Sequence, residues 1–185
     1  KWLKEAAKLL EYVNFHFSDT RSGMYFYTSD LDPALVARKM ELADNVIPSS
    51  NSEMANNLYL LGQYLFKEDY IDRAKQMLGN VKEAAIKNGP YYANWNILHS
   101  YLVEESYEVA IVGEEAENLR KEFDNYYLPN ALLSGGVKEG GLKLLENKQV
   151  KNKTLIYVCQ NKVCQYPVNS VNEALKLMDG TTLGE

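Results

Sequence analysis

Apolar positions recur at spacings of three and four through the first hundred residues, then give way after Ser106 to short continuous apolar runs. Leu3, Ala6, Ala7, Leu10 and Val13 form the stripe of an amphipathic helix ending near Asn14. Asp19-Thr20-Arg21-Ser22-Gly23 is turn chemistry, followed by a strand-like Met24-Tyr25-Phe26-Tyr27 and a second extended piece, Leu35-Val36-Ala37. Ser50 and Glu53 read as a capping box, with Met54, Leu58, Leu61 and Leu65 as the stripe behind it. A further helix runs from about Asp69 to Lys87, with Ile71, Ala74, Leu78, Val81 and Ala85 inward. Asn88-Gly89-Pro90 stops it, and Pro90 starts the next helix, through Trp95 and Leu98 to Leu102. Short connections make these helices α-hairpins.

The second pattern predicts a buried strand at Tyr107 to Gly113 and a helix from Glu114 to Asn125. Further strands are expected at Ala131-Leu132-Leu133 and from Thr154 to Cys159. A last helix, Ser170 to Met178, opens on a second capping box, Ser170 with Glu173. Strand-helix-strand order implies a small, partly parallel α/β unit.

Length and composition narrow the classes. At 185 residues the chain is one domain or a domain with an appendage, and 46% hydrophobic residues suffice for a core. No apolar stretch reaches the roughly 18 residues of a membrane span, so no membrane partner is expected. The net charge of −5, without long single-sign runs, disfavours a nucleic-acid groove. Two cysteines are too few for a secreted disulfide scaffold. The opening Lys1-Trp2-Leu3-Lys4 carries neither an initiator methionine nor a signal peptide, so the expectation is a piece of a longer cytoplasmic chain.

The densest candidate chemistry is the run from Arg38 to Ser52. Arg38, Glu41 and Asp44, at spacing three, lead into Pro48 and the polar Ser49-Ser50-Asn51-Ser52 at a helix start. Arg38, Glu41, Asp44, Asn51 and Ser52 could line a polar cleft, since sugars need donors and acceptors beside carboxylates. Three residues apart in an extended stretch, Glu41 and Asp44 point to opposite faces and make a poor self-contained acid-base pair. The structural alternative pairs Arg38 with Glu41 or Asp44 and uses Ser50 and Asn51 to shape the helix start.

Elsewhere the signals are weaker. His16 sits at a helix end, and His99 lies mid-helix, where a satisfied, partly buried histidine is the commoner case. Tyr91, Tyr92, Trp95 and the Tyr25-Phe26-Tyr27 run could stack on a sugar, though core packing accounts for them as well. Gly113 precedes a helix, but Glu114, Glu115 and Glu117 fill its first turn and would repel a phosphate. No metal-ligand spacing occurs and no cofactor is expected. Asn161-Lys162 fits a two-residue hairpin turn, which puts Cys159 opposite Cys164 at a non-hydrogen-bonded pair with Cα atoms roughly 4.5 Å apart. The expected state is two adjacent reduced thiols that mild oxidants can bridge.

Two segments carry a family resemblance: Gly23 to Ser52, with Asp44…Pro48-Ser49-x-Asn51-Ser52, and Tyr157-Val158-Cys159-Gln160-Asn161…Cys164-Gln165-x-Pro167-Val168. With Glu108 to Gly113 between them, the chain resembles the C-terminal part of thioredoxin-domain-containing proteins of the spermatogenesis-associated protein 20 type. The resemblance implies an upstream thioredoxin-like domain and a six-hairpin glycosidase-like (α/α) barrel. The chain has no C-x-x-C motif, so the family's redox chemistry does not carry over to it.

The combined expectation is a mainly α chain: residues 1–105 as α-hairpins of an incomplete (α/α) six-hairpin toroid, and residues 106–185 as a small α/β unit. The expected function is a ligand-binding or interaction module, inactive in isolation, with a small-molecule or carbohydrate ligand. The upstream barrel and thioredoxin-like domain of the same chain are its expected partners. The alternative is a contribution to a composite site of a glycosidase or sugar epimerase.

Overall fold

The computed structural model describes residues 2–33 and 36–179. The chain divides into two compact units, Lys1–Ser100 and Tyr101–Glu185.

The first unit holds α1 (Trp2–His16), α2 (Ser50–Leu65), α3 (Glu68–Lys87) and the start of α4 (Ala93–Val103). Leu58, Leu61, Ile71, Ala74, Met77 and Val81 bury the facing stripes of α2 and α3. Phe66 takes the left-handed conformation (φ 56°, ψ 44°) and ends α2, so two residues suffice to bring α3 back onto it. At Gly62 a Cβ would lie 2.6 Å from the Ile71 side chain, so the close approach of the two helices needs glycine. Helix α1 buries Leu10 and leaves Trp2, Leu9, Tyr12 and Phe15 exposed.

Between α1 and α2 the described chain forms no regular strand. The strand-like run Met24–Tyr27 makes only an isolated bridge, Ser18 to Tyr25. Leu35 of the second extended piece lies outside the described residues, and Val36 and Ala37 are exposed.

The second unit contains β1 (Tyr107–Val112), α5 (Ala116–Phe123), β2 (Ala131–Gly136), β3 (Leu155–Gln160), β4 (Val163–Cys164) and α6 (Val171–Asp179). The sheet order is β2-β1-β3-β4, with β1 parallel to β2 and antiparallel to β3. Val109, Ile111, Ile156 and Val158 face Phe123, Val171, Ala174 and Met178 in one core. Alternation sends Glu108, Ala110 and Val112 to the other face. The turn Lys143–Leu145 packs against β1 and β2, burying Leu144 and Leu145. A Cβ at Gly135 would lie 2.1 Å from the Ile111 carbonyl oxygen, so β2 approaches β1 more closely there than any side chain permits.

A mainly α toroid fragment is therefore not what the chain forms. Helix accounts for 49% of the structure, and a four-stranded mixed sheet makes it an α/β mix. The helical stripes of the first hundred residues dominate the sequence pattern, whereas the sheet is assembled from short buried runs joined across long intervals.

Candidate functional site

The run from Arg38 to Ser52 is built around the buried carboxylate of Asp44. Asp44 Oδ1 accepts hydrogen bonds from the Ser49 backbone N–H (2.9 Å) and Ser52 Oγ (2.7 Å). Asp44 Oδ2 accepts from the Asn94 backbone N–H (2.9 Å). Ser49 is the N-cap of α2 and Asn94 is the second residue of α4. One carboxylate thus meets the amino ends of two helices, where free N–H groups and the helix dipole both favour negative charge.

The N-cap of α2 falls one residue earlier than the sequence pattern suggests. Ser49 is extended (φ −69°, ψ 151°), its Oγ accepts from Ser52 N (3.1 Å), and it donates to the Leu42 carbonyl (3.1 Å). Capture of the Ser49 N–H by Asp44 fixes it as the last residue outside the helix. Glu53 then receives Asn94 Nδ2 (3.3 Å) rather than closing a box with Ser50.

Asn51 is fully buried and behaves like a peptide group in a ladder. Its Oδ1 accepts from Tyr25 N (2.8 Å), while Nδ2 donates to Tyr25 O (2.8 Å) and Glu41 O (2.9 Å). These bonds satisfy the backbone groups of Tyr25 that face away from its bridge to Ser18. Burial pushes the Tyr25 phenol above its ordinary value, opposed by the guanidinium of Arg73 over its ring. The Tyr25 hydroxyl donates to Asn14 Oδ1, tying this stretch to α1.

Glu41 is exposed, and its Oε2 accepts from the Ser50 N–H (3.1 Å). Glu41, Asp44, Asn51 and Ser52 therefore converge on the start of α2. Arg38 is engaged elsewhere: its Nη2 donates to the carbonyls of Thr28 and His16, and its guanidinium lies 4.2 Å from the Phe26 ring centroid. Among the described residues it pairs with neither Glu41 nor Asp44. Arg38 Nε and Ser50 Oγ are buried without a hydrogen-bond partner among the described residues.

Sequence reasoning missed Asn94, whose Nδ2 also donates to Ser52 Oγ (3.0 Å), and Asn56, whose Nδ2 donates to Ser52 O and Asn94 O. The sequence pattern starts this helix at Pro90, which puts Asn94 inside it and leaves its place at the amino end of α4 unmarked. Trp95 is buried and donates from Nε1 to the Leu42 carbonyl (2.8 Å), so it is part of the framework. His99 is exposed, contrary to the expectation of a partly buried histidine, because its position lies on the outer side of α4. His16 Nδ1 contacts Asp30 Oδ1 at 2.7 Å.

In chemical terms both Asp44 oxygens are turned onto protein donors, while one Glu41 oxygen has no hydrogen-bond donor among the described residues. The loop from Asp44 to Ser49 is closed by the Asp44 carboxylate, and it presents Val46 and Ile47 to solvent. No group of three or more His, Cys, Asp or Glu able to hold a metal occurs among the described residues.

The second unit carries an open cleft of about 930 Å³ beyond the C-terminal end of β1. Glu114, Glu115 and Glu122 line it together with Lys138, Lys151 and Lys153. The Glu115 N–H is already taken by Thr154 Oγ1 (3.0 Å).

The cysteines lie on the β3–β4 hairpin, with Gln160 opposite Val163 and Cys159 opposite Cys164. Asn161 (φ 49°) and Lys162 (φ 65°) form the two-residue turn in the left-handed conformations such a hairpin requires. The two are joined by a disulfide, with Cα atoms 3.8 Å apart, where reduced thiols were expected. The register supplies the adjacency that the sequence predicts, and the oxidised form is the one present.

No helix among the described residues is long and apolar enough to cross a membrane. No protein-family model matches the chain. It is similar to spermatogenesis-associated protein 20 of Homo sapiens and of Mus musculus, at 24% identity over 189 residues, and to that of Rattus norvegicus at 23%. Each match covers 96% of this chain and 24% of the relative, so the chain spans about a quarter of the length of the curated relatives it matches. The chain is thus a distant homologue of spermatogenesis-associated protein 20 over nearly its whole length.

Proposed function

We propose that the chain is a ligand-binding or interaction module of a larger cytoplasmic protein that also carries thioredoxin-like and glycosidase-like parts, and that it has no activity in isolation. One observation carries the reading. The loop between Asp44 and Ser49 is pinned at both ends by one buried carboxylate, yet it holds Val46 and Ile47 in solvent, and the exposed Glu41 sits on the Ser50 N–H that follows it. A rigid loop presenting apolar side chains beside a carboxylate suits recognition, because little conformational freedom is lost on binding. The distant homology supports the larger context.

The alternative, a share in a glycosidase or epimerase site, would have to use Glu41, since the Asp44 oxygens are spent on helix N–H groups and Ser52. One carboxylate does not make the pair that glycoside hydrolysis requires, so a second would have to join it.

Two measurements test the proposal. In titrations with mono- and disaccharides, the amides of residues 41–47 should shift. In the longer protein, a photoreactive residue replacing Ile47 should cross-link to the upstream part of the same polypeptide. Failure of both would overturn the reading. Sugar turnover by the longer protein, lost in Glu41→Gln, would replace it with the enzymatic alternative.

A further inference from the structure

The β3–β4 hairpin has three features that together define a chemical site. First, the two sulfurs differ in access: Cys159 is buried at 1% exposure, whereas Cys164, on the outermost strand, is partly open. Second, the hairpin does not depend on the disulfide for its shape. The left-handed Asn161-Lys162 turn, the Gln160–Val163 pair and the bond from Gln165 N to Val158 O (2.9 Å) hold the strands in register. Third, the buried Glu108 lies directly across from Cys159 on β1, and its Oε2 accepts the Lys162 N–H at the hairpin tip (3.1 Å). Glu108, Cys159 and Cys164 therefore form one row across three strands, on one face of the sheet.

We propose that Cys159–Cys164 is an exchangeable disulfide with an assigned polarity, in which low-molecular-weight thiols attack Cys164 and Cys159 is the internal leaving and resolving sulfur. A thiolate RS⁻ attacks Cys164 Sγ, the Sγ–Sγ bond breaks, and Cys159 departs as a thiolate that takes a proton from water. The product is a mixed disulfide between Cys164 and R. A second RS⁻ attacks the R-side sulfur, releasing the Cys164 thiolate and RSSR. The balance is one protein disulfide and two RSH giving two protein thiols and one RSSR. In reverse, Cys159 attacks the Cys164 mixed disulfide, closes the bond and releases RSH. Access sets the direction, since attack requires an approach to the sulfur. Glu108 is a positioning residue. By holding the Lys162 N–H it keeps the tip of the reduced hairpin against β1, so Cys159 stays beside Cys164 and ring closure is intramolecular.

The test uses the native chain in glutathione buffers, quenched with acid, alkylated and mapped by mass spectrometry. The wild-type chain should pass reversibly between the disulfide and the dithiol, the latter trapped as the doubly alkylated form, without unfolding. The transient glutathione adduct should map to Cys164. Cys159→Ser should take up oxidised glutathione at Cys164 about tenfold faster than Cys164→Ser does at Cys159, following access. Glu108→Ala should slow ring closure several-fold, and Glu108→Gln, which keeps an acceptor for Lys162, should restore it. An adduct mapping to Cys159, equal rates in the two variants, or reduction only after denaturation would overturn the proposal. If Cys159→Ser does not fold, the position of the wild-type adduct decides the question alone.

Discussion

The two units order their chains by opposite means. In the second, backbone ladders do the work: β1 pairs on both sides, and side chains contribute mainly by alternating between a core face and an outer face. In the first, the described stretch between α1 and α2 has a single isolated bridge and scattered backbone bonds, and buried side chains supply much of the rest. Asn51 bonds both backbone groups of Tyr25, Arg73 Nε reaches Gly23 O (2.6 Å), Asn80 Nδ2 reaches Ser22 O (2.7 Å), and Asp44 joins two helix ends. Order obtained from a few buried polar side chains is concentrated, whereas order obtained from a ladder is distributed. Single substitutions should therefore fall more heavily on the first unit.

The largest effect is expected at Asp44. Its removal strands the N–H groups of Ser49 and Asn94 and costs the Ser52 hydroxyl its charged acceptor, leaving it the Ser49 carbonyl, and losses of this kind cost about 4 kcal/mol together. Asp44→Ala should lower the denaturation midpoint accordingly and strip hydrogen-exchange protection from the first turns of α2 and α4. Loss confined to α2 would break the claim that one carboxylate serves both. Asn51→Ala comes next, at about 3 kcal/mol, since both backbone groups of Tyr25 lose their partner. Its signature should be loss of the Tyr25 amide's protection ahead of the rest of the unit.

A matched test in the ladder is Gly135→Ala. The added methyl meets the Ile111 carbonyl, and backbone must move, at a cost of about 2 kcal/mol. Exchange should rise along the whole β1–β2 pairing rather than at one residue, and a point-like response would erase the contrast between the units.

The smallest effect concerns Glu173. The Ser170 hydroxyl, together with the Asn169 and Ser170 N–H groups, holds its carboxyl below the ordinary value of 4.5. Because the folded value is depressed, the stabilisation is present above the unfolded value and is lost as pH falls through the folded one. Glu173→Gln should flatten the acid limb of thermal stability below pH 4.5, and an unchanged limb would remove Glu173 from the account.

What was legible in the sequence follows the same division. The α2 and α3 stripes, the β1 run, the Ser170–Glu173 box and the Asn161-Lys162 turn are all local patterns, and the structure contains each of them. The Asp44 centre was legible as a dense polar run, but not as a joint between helices. Its partner Asn94 lies 50 residues away with nothing periodic to mark it. The Met24–Tyr27 run has strand composition, yet on one side it meets only the short Phe17–Asp19 bridge and on the other the side chain of Asn51 takes both backbone groups of Tyr25. The same locality accounts for the error in fold class, because helices announce themselves within one turn and a sheet only through distant pairs.

The reach of the Asp44 carboxylate also sets an order of events during folding. Bonds that close 50 residues, as Asp44 to Asn94 and Gly23 to Arg73 do, cannot stabilise anything until the intervening α2–α3 hairpin exists. The hairpin should therefore consolidate first, and the stretch from Ser18 to Ser49 should drape onto it last. Residues 18–49 would then have low φ-values, so Asp44→Ala should accelerate unfolding while leaving the refolding rate nearly untouched.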